Sequence, residues 1–285
     1  MDELFEMLGE GGRIDPKSVI FTIDDGFSDH FEVAARAFDE FGFVLNCFVI
    51  TGFLDGKLWP WDYQITYAVH HCALNEVALT LPTGEKYQLN MAKDGAIHSI
   101  RKLRNKLKSC RQTNIYDWLK FELFTALAVG YPTDVPAEFT AMSWDNARTL
   151  QANGHGIYPH TYSHRILSSL PIGEKQVEIE ESLKRVQAEL GNKPKVFAYP
   201  TGRQMDFDQS DIEELAKCGV EMAFTTVTDY VSKGQSLLKL PRFSVPENAE
   251  DFRQIMNRFE AFKTFFLNAN HKASLSGLMS RDATH

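Results

Sequence analysis

The chain has 285 residues, with 30 Lys and Arg against 38 Asp and Glu and a formal charge of −8. That surplus of carboxylates excludes a general affinity for nucleic acid or anionic lipid, which it would repel at long range. A hydrophobic fraction of 44% beside 24% charged residues is that of a folded chain, long enough for one large α/β domain or two ordinary ones.

Met1 opens onto Asp-Glu-Leu-Phe-Glu, without the basic start and apolar core of a secretory signal, and no run approaches the roughly 18 apolar residues of a membrane span. Cys47, Cys72, Cys110 and Cys218 are scattered without a Cys-x-x-Cys pair and read as reduced thiols. These features predict a cytoplasmic protein with no membrane span and no nucleic-acid partner. Either the sequence is truncated at its start or Met1–Arg13 supplies a reduced helix.

Ser18–Ile23 is short, β-branched and nearly all apolar, which predicts an interior parallel strand. Phe31, Ala34, Ala35, Phe38 and Phe41 then recur at helical spacing until Gly42, and Phe43–Ile50 resumes as a second buried strand. This order is a βαβ unit, whose crossover is right-handed in nearly all cases. From about 55 to 136 the rhythm breaks. The stretch holds Trp59-Pro60-Trp61-Asp62, a hairpin signal at Pro82-Thr83-Gly84, and helical patterns at Ala96–Leu107 and Ile115–Val129.

It is too long for a βα connection, and is expected to be an insertion packed over one side of a barrel mouth, its own core small. The five cations of Arg101–Lys108 read as a solvated helix face. The alternation then returns: helix Trp144–Gln151, strand Gly156–Tyr158, helix Glu174–Leu190 ended by Gly191, strand Lys195–Tyr199, helix Ser210–Cys218, and strands Met222–Thr226 and Leu238–Phe243. The reading is thus a single domain over 1–270 with the insertion at about 55–136, followed by a flexible tail at 271–285.

Two segments carry the chemistry. Thr22-Ile23-Asp24-Asp25-Gly26 puts two carboxylates at a strand end, and His160-Thr161-Tyr162-Ser163-His164 puts two imidazoles at i and i+4, which a helical turn would bring to one side. Carboxylate and imidazole together suit a divalent ion, with one carboxylate left over as a base. Taken alone, Asp-Asp-Gly reads sooner as a turn with a helix N-cap. A barrel is preferred to a flat sheet because Asp24, His160, Tyr199 and Arg242 come from four strand ends, which a closed ring brings around one centre.

With Phe197-Ala198-Tyr199-Pro200-Thr201-Gly202, these segments resemble the first three motifs of the polysaccharide deacetylases, the NodB-homology or family 4 carbohydrate esterases, in order and spacing. Trp61-Asp62, Pro159 and Leu240-Pro241-Arg242-Phe243 are similar to the branch associated with exopolysaccharide and capsule. The resemblance covers roughly residues 14–245. It implies an irregular (β/α)7 barrel with a largely helical insertion after the second strand, and a hydrolase that removes an N-acetyl group from an amino sugar in a saccharide. By it, Asp25, His160 and His164 are the ligands of a divalent metal, zinc by preference, with cobalt, nickel or manganese as substitutes. Asp24 is the base, and the Thr201 N–H is an oxyanion donor.

Tyr199 and Pro200 would shape the substrate wall, and Trp59, Trp61, Tyr63, Tyr158 and Tyr162 are candidates to stack on sugar rings. Two departures from the pattern stand out. Ala198 replaces the third-motif Arg that orients the base, leaving Arg242 as its candidate substitute. The late Leu-x-His that protonates the leaving amine has no counterpart, since only His271 and His285 follow His164. Asp24, His30 and His155 remain as possible acids, while His70 and His71 are expected to face solvent. Alternative functions are an amidase or deformylase of the same fold, or a degenerate member that binds glycan or a partner without turnover.

Overall fold

The apolar run before the first carboxylate folds as β1 (Phe21–Asp25), paired in parallel with β2 (Leu45–Val49) so that Asp24 lies opposite Phe48 and Asp25 opposite Val49. β2 in turn pairs in parallel with β5 (Gly156–Pro159). β2, buried at all five positions, is therefore the central strand of this sheet, and β1 lies at its edge with four of its five residues half-buried. That corrects the expectation of an interior β1. The computed structural model describes residues 1–14 and 18–258; the expected tail at 271–285, with His271 and His285, lies outside them.

The crossover from β1 to β2 starts as a π-helical turn, His30–Ala35, and continues as an α-helix, Arg36–Glu40. Phe31, Ala34, Ala35 and Phe38 pack beside Leu45 and Cys47, but Phe41 is 73% exposed and lies past the inward stripe. Met1–Arg13 does contain a short helix, Asp2–Leu8. The later helices follow their patterns. Trp144–Ala152 starts in a capping box of Ser143 and Asn146, and Ile172–Leu190 ends at Gly191 in the left-handed region.

β6 (Val196–Ala198) and β7 (Met222–Phe224) form a second parallel pair. The strand expected at Leu238–Phe243 is reduced to one bridge between Leu240 and Phe224, because a 3-10 turn occupies Leu237–Lys239 and Pro241 has no N–H to extend the ladder. The ladders thus trace two arcs of an irregular α/β barrel, with no closing ladder among the described residues. Side chains span the two seams instead. His160 Nδ1 lies 2.7 Å from the Ala198 carbonyl between β5 and β6, and Arg242 reaches Thr22 and Asp24 on β1.

The insertion holds an antiparallel hairpin, β3 (Glu76–Thr80) with β4 (Lys86–Asn90), and helices Trp61–His71 and Ala96–Lys108. A third helical stretch runs from Ile115–Trp118 through a π turn to Phe124–Ala126. Its core is not small. Ile65, Leu79, Leu89, Leu103, Leu107, Leu123 and Phe124 belong to one buried cluster that continues into Ile50, Phe53 and Ile166 of the barrel. On helix Ala96–Lys108, Leu103 and Leu107 face this cluster while Arg101, Lys102 and Lys106 face solvent, as expected of the basic run.

Candidate metal centre

Strand side chains alternate between faces, so adjacent Asp24 and Asp25 would ordinarily diverge. The backbone breaks that alternation at the strand end, where Asp25 (φ +88°) and Gly26 (φ +91°) are both left-handed. Gly26 is required there, because a Cβ would stand 2.8 Å from Leu54 Cδ1 and 3.1 Å from Val49 Cγ1. Asp24 Oδ2 and Asp25 Oδ1 consequently lie 4.0 and 3.7 Å from the same atom, His160 Nε2.

The two histidines meet by a different route from the helical turn expected. Residues 160–164 form no helix, and Thr161 (φ +67°) and His164 (φ +59°) bend the segment back on itself, placing the imidazole centroids 5.1 Å apart. Such strain persists only where the surroundings enforce it. Here buried Glu178 does so, accepting from the Ser163 N–H at 2.8 Å, the Ser163 hydroxyl and Arg165 Nε.

Asp25 Oδ1 is buried and has no hydrogen-bond partner, although His164 Nε2 lies 3.4 Å and His160 Nε2 3.7 Å away. A buried carboxylate oxygen without a donor is costly. The ligand atoms of Asp25, His160 and His164 all lie within 4.8 Å of one another, the arrangement of a three-ligand divalent site. His160 donates Nδ1–H to Ala198 in the tautomer that leaves its Nε2 lone pair toward this point. Donor types, the orphaned oxygen and convergence therefore fit a metal ion.

The electrostatics follow from burial and these neighbours. Burial raises the Asp25 carboxyl above the usual range despite the two imidazoles, and burial lowers His160. Burial would also lower His164, but the Asp25 and Asp62 carboxylates push it up to about 9.

Asp24 is clamped by Arg242, whose two terminal nitrogens each donate to one carboxylate oxygen at 2.8 Å. Arg242 is itself anchored to the Thr225 carbonyl and the Thr22 hydroxyl, both at 3.0 Å. Burial raises the Asp24 carboxyl, but Arg242 and the imidazoles outweigh it and hold it below the usual range. Arg242 thus occupies the position beside the carboxylate for which it was a candidate.

Other expected site residues are placed differently. Tyr199 is fully buried, stacks on Phe207 at 4.2 Å and donates its hydroxyl to the Leu238 carbonyl, so it is core and not substrate wall. Trp61 is equally buried, its indole N–H donating to the His164 carbonyl at 2.8 Å, which removes it from any sugar path. Pro200 is buried, whereas Tyr162 is half-exposed with the Lys57 ammonium 5.9 Å from its ring. Thr201 is half-buried at φ +54°, its hydroxyl held by Asp206, and its N–H has no acceptor among the described residues.

His155 has both ring nitrogens engaged, one accepting from the Leu45 N–H and the other 3.1 Å from Asp39, while His70 and His71 are exposed. A Tyr199→Phe protein should lose about 1 kcal/mol in denaturant unfolding, because the half-buried Leu238 carbonyl loses its donor, with KM unchanged.

The sequence reading missed Glu178, noted Asp62 only within the Trp61-Asp62 resemblance, and took Tyr63 as a candidate to stack on sugar, whereas its hydroxyl engages Asp25. Asp62 Oδ1 lies 3.4 Å from His164 Nδ1, and the Tyr63 hydroxyl donates to Asp25 Oδ2 at 3.0 Å. The adjacency of Trp61-Asp62 to the helix that starts there was the one available signal.

A family model described as polysaccharide deacetylase matches residues 106–223, a span that includes both histidines and the third motif. No curated protein matches the chain by sequence. Among solved structures, the Streptococcus pyogenes deacetylase PplD in complex with acetate is similar with a TM-score of 0.55 and 15% identity, over 90% of this chain and 77% of that one. A de-N-acetylase from Aggregatibacter actinomycetemcomitans gives 0.55 and 12%, over 90% and 80%. IcaB from Ammonifex degensii gives 0.52 and 15%, over 88% and 76%.

Fold and family match together define a hydrolase acting on non-peptide carbon–nitrogen bonds. Over residues 106–223 the chain matches the model of the polysaccharide deacetylases, the family that the three motifs resemble.

Proposed function

We propose that this chain is a metal-dependent de-N-acetylase that hydrolyses the acetamide of an amino sugar within a saccharide, releasing acetate and a free amine. The observation that carries this reading is the convergence of Asp25 Oδ1, His160 Nε2 and His164 Nε2 beside a second carboxylate, Asp24, clamped by Arg242. Asp25, His160 and His164 would hold the ion, and one carboxylate with two imidazoles favours zinc. When bound, the ion supplies Lewis-acid polarisation and lowers the pKa of water.

The remaining steps fall to the chain's own groups. Asp24, ionised across the neutral range, accepts the proton of the attacking water, and the Arg242 fork fixes its orientation. The unpaired Thr201 N–H is the donor for the developing oxyanion. Asp24 then returns the proton to the leaving amine, a role His155 cannot take with both nitrogens engaged. The likeness to a de-N-acetylase supports removal of an N-acetyl group, and the similarity of Trp61-Asp62 and Leu240-Pro241-Arg242-Phe243 to the exopolysaccharide-associated branch favours a saccharide of that type as substrate.

The test is acetate release from acetylated chito-oligosaccharides after chelator treatment and restoration with zinc or cobalt. Acetate only after restoration is expected; none with any metal, while metal binding is intact, overturns the reading. An Arg242→Leu protein provides a second check. Without the guanidinium, burial acts on Asp24 with less opposition and its carboxyl rises, so the acid limb of the kcat/KM profile should move to higher pH. Activity should fall far more at pH 5 than at pH 8.

A further inference from the structure

The insertion reaches the candidate metal site with the first three residues of helix Trp61–His71. Trp61 donates to the His164 carbonyl, Tyr63 donates to Asp25 Oδ2, and Asp62 Oδ1 faces His164 Nδ1 at 3.4 Å. Asp62 Oδ1 and His164 Nδ1 are both buried, and neither has another hydrogen-bond partner. From these contacts we propose that Asp62 and Tyr63 are positioning residues of the metal site. Asp62 fixes the tautomer and ring orientation of His164, and Tyr63 engages one oxygen of Asp25 so that the other remains for the ion. This rests on the metal reading given above.

The physical need is specific. An imidazole that offers its Nε2 lone pair must carry a proton on Nδ1, and a buried N–H needs an acceptor. His160 meets that need with the Ala198 carbonyl of the barrel. His164 can meet it only with the carboxylate from the insertion, an acceptor that also raises ligand basicity. Asp25 has two equivalent oxygens, and a phenol on Oδ2 makes them inequivalent, leaving Oδ1 turned toward both imidazoles.

Both residues are held rigidly. Arg104 donates from Nε and a terminal nitrogen to the Asp62 carbonyl at 2.9 and 2.7 Å and lies over the Tyr63 ring at 5.3 Å. Tyr63 also packs edge-on to Phe27, 4.6 Å between centroids. A carboxylate in the first turn of a helix is favoured by the helix dipole alone. That role calls for no contact with a metal-site histidine and leaves the orphaned Asp62 Oδ1 unexplained.

The experiment compares the full chain with Asp62→Asn, Asp62→Ala and Tyr63→Phe. Zinc affinity is read by competition with a chromophoric chelator, and ligand geometry by the visible spectrum of the cobalt(II) protein. Each variant should bind zinc about 10–100-fold more weakly, with Asp62→Ala below Asp62→Asn and with altered cobalt bands. The metal-free unfolding midpoint of Tyr63→Phe should fall only slightly, because its ring packing is kept and just the hydroxyl's bond to Asp25 is lost. That variant therefore separates loss of metal from loss of fold. Parent-like zinc affinity and cobalt spectra in both Asp62→Ala and Tyr63→Phe overturn the positioning role while leaving the metal reading intact. A parent chain that binds no zinc overturns both.

Discussion

An Asp24→Asn protein is expected to bind zinc as tightly as the parent and to release acetate about 10²–10⁴-fold more slowly, the range general base catalysis contributes. The substitution keeps shape and one oxygen facing Arg242 but removes the site that takes a proton. Arg242 should stay in place, because its bonds to the Thr225 carbonyl and the Thr22 hydroxyl do not depend on Asp24. The proposed ligands are on other residues, so metal content and acetate release are separable readouts. Steady-state acetate assays on protein of measured zinc content decide the matter, and full activity in loaded Asp24→Asn would remove Asp24 from the mechanism.

This outcome differs in kind from that of Arg242→Leu, which keeps the base and shifts its titration. If loss of Arg242 lowered activity equally at all pH values, its role would be to place the carboxylate and not to hold it ionised. Asp24→Asn has no such pH signature, since no carboxylate is left at that position to titrate.

Much of the barrel and part of the site were legible in the sequence, for identifiable reasons. The βαβ unit over 21–49 was readable because a buried strand, an amphipathic helix and a glycine stop each leave a local pattern. Asp24, Asp25, His160 and His164 were readable because their residue types and spacing carry the chemistry. What the sequence concealed lay in orientation and in contacts between distant segments. Tyr199 follows a three-residue strand buried on both faces, so alternation says nothing of which way a neighbouring ring points, and it faces Phe207 in the core.

The histidine pair was expected on one helical turn. It is instead assembled by positive φ at Thr161 and His164, enforced by Glu178 from the helix Ile172–Leu190, and no spacing rule encodes that dependence. The roles of Asp62 and Tyr63 were hidden for a related reason. Their helix, with buried Trp61, Ile65, Ala68 and Val69, was not among the patterns read in the insertion, and its docking against the barrel depends on a core shared with Ile50, Phe53 and Ile166.

Replacing His160 with Ala should weaken zinc binding by more than about 100-fold, since loss of a ligand must exceed the 10–100-fold that loss of a supporting residue costs. The choice of His160 is informative because its Nε2 lies within 4.0 Å of both Asp24 and Asp25. The variant also leaves the Ala198 carbonyl without its partner, so a drop of about 1–3 kcal/mol in metal-free stability is expected and is measured separately. Proton release gives an independent readout in the parent. With its imidazole pushed up to about 9, His164 is protonated at pH 7 in the metal-free protein, and a metal can bind it only by expelling that proton.

Zinc titration at pH 7 in a weakly buffered indicator should therefore release about one proton from His164, and apparent affinity should weaken as pH falls below about 9. If zinc binds without proton release and His160→Ala leaves it unchanged, the ion sits elsewhere. Among the described residues the other group with ligand atoms close enough is Glu180, Glu214 and Cys218, on helices Ile172–Leu190 and Gln209–Lys217 and the residue that caps the latter. A Cys218→Ser protein distinguishes the two sites: zinc binding should persist in it if Asp25, His160 and His164 are the ligands, and fall if they are not.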